Sequence, residues 1–64
     1  MPREVLFEFH RVGNSVKVTA FDPVSLVEVS IVGSPRAPES QLRVTALRKL
    51  QYVLDRRARQ AKEQ

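Results

Sequence analysis

The chain has 64 residues and a mass of 7.3 kDa, carries a formal net charge of +4 and contains 0 cysteines. A domain of that size removes only about 60% of its unfolded surface from water, which leaves no chain for a second lobe or a cofactor domain. A disulfide framework and a thiolate metal cluster are excluded with the cysteines. The 42% apolar content argues against wholesale disorder, and no apolar run approaches the ~18 residues of a membrane helix. Acids interrupt the apolar run of residues 1–9, which argues against a signal peptide. One domain spanning residues 1–64, in a reducing cytoplasmic setting and without membrane attachment, is the expectation.

Three stretches alternate with period two. Over residues 4–12, Val5, Phe7 and Phe9 share one face, and Glu4, Glu8 and His10 share the other. Over residues 15–21, Val16, Val18 and Ala20 oppose Lys17 and Thr19; over residues 26–32, Val27, Val29 and Ile31 oppose Glu28 and Ser30. This alternation, rich in β-branched and aromatic residues, predicts three strands at about those bounds.

The punctuation sets their pairing. Gly13-Asn14 fits a two-residue hairpin loop in a primed turn, where glycine accepts positive φ. Such a loop places Val12 opposite Ser15, Phe9 opposite Val18 and Phe7 opposite Ala20, so the apolar residues of both strands fall on one face. Asp22-Pro23-Val24-Ser25 reads as a type I turn. A two-residue loop there pairs Val18 with Val29, and a four-residue loop pairs it with Ile31. Both keep the faces consistent, so parity leaves the loop length open.

Gly, Ser and Pro break the pattern over residues 33–37. Pro38 and Glu39 suit a first helical turn, and Leu42, Ala46, Leu47, Leu50, Val53 and Leu54 recur at helical spacing over residues 38–61. The polar residues 56–64 are expected to fray. The predicted class is α+β, a three-stranded antiparallel meander (β-β-β-α) with its C-terminal helix packed on one sheet face.

The segments 8–18 (EFHRVGNSVKV), Asp22-Pro23 and 28–33 (EVSIVG), with the helix pattern Arg43, Leu47-Arg48-Lys49-Leu50 and Tyr52-Val53-Leu54, resemble a family of short uncharacterised bacterial proteins, a domain of unknown function. The similarity spans nearly the whole chain. It implies no activity, ligand or catalytic residue.

Little of the chain suggests catalysis. His10, the one histidine, shares the outer sheet face with Glu8 and Lys17; a proton-transfer trio is a weaker reading than a solvated strand face. A single histidine does not make a zinc site, and no serine has the partners of a nucleophile. Gly13-Asn14-Ser15 lacks the second glycine and the following helix of a phosphate loop. No enzyme activity, catalytic residue, cofactor, metal or small-molecule substrate is therefore expected.

Two surfaces stand out. Leu6 and Phe21 pair on the uncovered sheet face, and Leu26 joins them if the second loop is short. That apolar row, together with two open sheet edges, predicts a protein-interaction module, either a homodimer or a binder of another protein. The alternative is nucleic-acid binding. Basic and acidic residues cancel over residues 1–37, whereas residues 38–64 carry the whole of the +4. At about 100° per residue, Arg48, Lys49, Arg56 and Arg59 fall on the solvent side of the helix with Tyr52 between them. Such a ridge could follow a phosphate backbone, with Tyr52 stacking on a base. A solvated helix surface explains the same charges.

Overall fold

The computed structural model describes residues 4–63; residues 1–3 and 64, included in the expected domain, lie outside the described residues. Three strands, β1 (Leu6–Val12), β2 (Ser15–Asp22) and β3 (Val27–Gly33), form an antiparallel sheet in the order β1-β2-β3, followed by one helix, α1 (Glu39–Glu63). This is the α+β meander that the alternation predicts. Compared with the sequence reading, β1 starts two residues later, β2 ends one later, β3 moves by one at each end, and α1 continues unbroken through residues 56–63.

The β1–β2 register follows from the turn. Phe9 stands opposite Val18 and Phe7 opposite Ala20, with Val12 and Ser15 flanking the loop. Gly13 has φ +59, and Asn14 is not among the positive-φ residues. That combination is a type II′ turn, whose twist matches that of the strands.

The β2–β3 connection is the longer of the two options. Val18 pairs with Ile31 and Asp22 with Val27, so residues 23–26 form the loop. Its geometry is closed by Leu26 N–H donating to the Asp22 carbonyl at 2.8 Å. Leu26 closes it in the left-handed region, φ 65, with its side chain 72% exposed. For an L-residue with a Cβ, that conformation costs roughly 1–2 kcal/mol.

After β3 the chain turns through Ser34, whose carbonyl accepts from Ala37 N–H at 3.1 Å and whose hydroxyl accepts from Arg36 N–H at 3.1 Å. Pro38 then supplies the carbonyl for the first helical bonds, from Gln41 and Leu42, at 3.1 Å each. Gly33 leaves room at this corner: a Cβ there would come within 2.5 Å of Leu42 Cδ2, and the buried Leu42 side chain would have to move. The short link starts α1 close to β3, and the helix lies across β2 and β3. Val18, Ala20, Val27, Val29, Leu42, Ala46 and Leu50 are buried between the two layers.

The alternation assigns Val5, Phe7, Phe9, Val16 and Ile31 to the core as well, but they are only half-buried against it, and Leu47 is 40% exposed. Over β1 the physical reason is the off-centre helix. At about 1.5 Å per residue, its 25 residues span ~37 Å, against ~27 Å for the longest strand, so its C-terminal turns overhang the sheet.

Two stability predictions follow from this packing. Leu50→Ala should cost ~2–5 kcal/mol, comparable with the total stability of a domain this small; retention of a cooperative melt near the parent temperature would show that Leu50 is not a core residue. Leu26→Gly should stabilise by about 0.5–1 kcal/mol, the left-handed penalty less the entropy that glycine loses. The urea midpoint should rise, and a fall would mean that the leucine side chain holds the loop.

Candidate interaction surfaces

The outer sheet face carries the predicted apolar pair. Leu6 stands opposite Phe21, and Phe21 stands opposite Glu28 on its other side. Leu6 is half exposed and Phe21 half-buried. Around them lies an open depression of about 340 Å3 lined by Leu6, Phe7, Glu8, Thr19, Phe21 and Glu28. Leu26, expected beside Phe21 with a short loop, is not part of this row. The four-residue loop puts Glu28 in that place and lifts Leu26, with Val24, into the exposed turn. Further along the face, Thr19 Oγ1 and Ser30 Oγ share a hydrogen bond at 3.0 Å, while Val12 and Val32 remain exposed.

The loop next to the depression is organised by Asp22, a buried carboxylate. Its Oδ1 accepts from Val24 N–H at 3.1 Å, and its Oδ2 accepts from Ser25 Oγ–H at 2.7 Å. Ser25 Oγ in turn accepts from Val27 N–H at 3.2 Å. The side chain thus serves the backbone donors that a four-residue turn leaves over. In the sequence Asp22 is an ordinary turn residue, and its burial becomes visible only once the loop length is known.

The helix ridge is divided. Lys49 is exposed, on the solvent side as the sequence suggested, and its Nζ also donates to the Ser30 carbonyl on β3 at 2.7 Å. Arg48, Tyr52, Arg56 and Arg59 are exposed, and exposed Asp55 lies between Tyr52 and Arg59 on the same side of the helix. An acid within the stripe lowers its attraction for phosphate.

On the inner face, Arg43 is a residue whose part the sequence did not suggest. Its guanidinium lies 6.0 Å from the Phe7 ring centroid and 5.6 Å from that of Phe9, within cation–π range. It also approaches Glu39 Oε2 at 3.9 Å, an exposed i,i+4 pair of small energetic weight. Arg43 thereby reaches from α1 over the half-buried part of β1. Its position directly after the buried Leu42, about 100° further round the helix, was the available signal.

A family model, described as Domain of unknown function (DUF6898), matches residues 2–58. The chain belongs to this family. The match takes in the whole sheet of the DUF6898 domain, the β2–β3 loop and α1 as far as residue 58. No curated protein and no solved structure matches the chain. Among the described residues, no group of three or more His, Cys, Asp or Glu could hold a metal ion, and no helix is long and apolar enough to cross a membrane.

Asp22→Ala should cost ~1–3 kcal/mol by taking the acceptor from Val24 N–H and Ser25 Oγ–H, and Asp22→Asn, which keeps an acceptor oxygen, should cost less. Equal losses in denaturant unfolding would show that the carboxylate's acceptor bonds do not hold the loop.

Proposed function

We propose that this domain is a non-catalytic protein-interaction module that associates with itself through the β1 side of its sheet. The observation that carries this reading is the placement of α1 over β2 and β3, which leaves β1 as a bare edge strand whose Phe7 and Phe9 are half-buried. On the helix side those rings pack against the core cluster, with the Arg43 guanidinium 6.0 and 5.6 Å from their centroids. The same strand presents Leu6 and Val12, both about half exposed, on the opposite face. Apolar surface on both faces of one edge strand favours association, because burial there gains roughly 25 cal/mol for each Å2 removed from water. A cysteine-free composition suits work in the reducing cytoplasm.

Sedimentation equilibrium at tens of micromolar tests the reading. The expected result is a species of twice 7.3 kDa that persists when salt is raised from ~0.05 to ~1 M, since apolar burial survives screening. A monomer at both salt concentrations overturns it. Binding of nucleic acid that collapses steeply over the same salt range, by a chain that remains monomeric, would move the function to the exposed helix ridge.

A further inference from the structure

The two edges of the sheet are not equivalent. In a two-residue hairpin the flanking residues exchange backbone hydrogen bonds, here Val12 with Ser15, and bonded pairs then recur at every second position. His10–Lys17, Glu8–Thr19 and Leu6–Phe21 are therefore the other bonded pairs of β1. Phe7, Phe9 and Arg11 direct their N–H and C=O groups away from β2, off the open edge. By the same alternation Val16, Val18 and Ala20 bond to β3, and Ser30 points its backbone groups outward from the far edge. There the Ser30 carbonyl accepts from Lys49 Nζ, a lysine placed as edge-protecting lysines are. Among the described residues no side chain bonds to the backbone of Phe7, Phe9 or Arg11.

We propose that β1 pairs antiparallel with β1 of a second copy about a two-fold axis at Phe9, joining two three-stranded sheets into one; this rests on the self-association proposed above. The side chains select the register. With Phe9 opposite Phe9, Glu8 stands opposite His10 of the second copy, a carboxylate facing an imidazole that donates a hydrogen bond in either charge state. Phe7 stands opposite Arg11, a ring facing a guanidinium. Leu6 stands opposite Val12, which joins two exposed apolar side chains on the outer face. The whole of β1 is then paired, and each of Phe7, Phe9 and Arg11 exchanges both of its outward hydrogen bonds. Sliding the axis to Glu8 opposes two carboxylates, and sliding it to Arg11 opposes two guanidinium groups; like charges directly opposite are destabilising. An axis at His10 leaves Leu6 and Phe7 unpaired.

The chain contains 0 cysteines, so introduced thiols report the register directly. Glu8 and His10 are exposed on the outer face, and single cysteines there leave the core intact. In the proposed pairing Glu8 and His10 of opposite copies are directly opposed, with Cα atoms ~4.5 Å apart, inside the range for a disulfide. Like positions are offset by two residues, ~7–8 Å, beyond that range. Under mild oxidation a mixture of Glu8→Cys and His10→Cys should give on the order of tenfold more cross-linked dimer than either variant alone. Phe9→Cys, whose Cα atoms would sit ~5.5 Å apart, should cross-link with itself. Cross-linking of Glu8→Cys alone as efficiently as the mixture would overturn the register. A parent that sediments as a dimer while the mixture stays uncross-linked would overturn the β1 edge and leave self-association standing. A monomeric parent would sink the self-association reading, and this pairing with it.

Discussion

The single helix lies over β2 and β3 of a three-stranded sheet and leaves the inner face of β1 only half-covered. Most of this molecule follows from that off-centre placement. The buried residues lie on β2, on β3 and on the stripe of α1 above them, and the third strand's inner face is left to other devices. The five residues between β3 and α1 decide which strand loses cover, because a link that short starts the helix beside the strand it has just left. Gly33, whose missing side chain makes room for Leu42, permits that start.

Arg43 is the molecule's partial answer to the uncovered strand. A long charged side chain can lay its methylene stem on apolar surface while its head stays in water. Here the head also meets two aromatic rings. A leucine at the same place would cover more apolar surface, but it would enlarge the exposed patch if nothing else bound there. The arginine leaves β1 tolerable in water and still able to be covered further.

The register of the first hairpin was legible in the sequence, because a two-residue Gly-Asn loop between alternating runs permits one in-phase pairing. The second loop was not. Loops of two and four residues differ by a whole period of the pleat, so hydrophobic alternation reads the same for both, and the choice falls to local polar bonds. Asp22 and Ser25 make those bonds in the four-residue loop, at the expense of holding Leu26 in the left-handed region. This is why Leu6 and Phe21 pair as the alternation indicated while Leu26 departs from them. Nor could periodicity show where α1 sits across the sheet. The apolar stripe names the face that turns inward, not the strands beneath it, so the half-burial of Phe7 and Phe9 and the task of Arg43 lay beyond it. Lys49 illustrates the same limit: a helical wheel places its Cα near the solvent side, yet its flexible stem carries the ammonium back to Ser30.

That contact between Lys49 and Ser30 also bears on how many neighbours a unit can take. A sheet whose edges are both open has a valence of two, and a chain of such units can lengthen without end, as fibres do. The ammonium on the Ser30 carbonyl takes up an outward acceptor that a neighbouring strand would need, and sets a hydrated charge in the path of that strand. Under the β1–β1 pairing proposed above, a lysine that discourages a neighbour at the β3 edge favours a closed pair over an open-ended polymer.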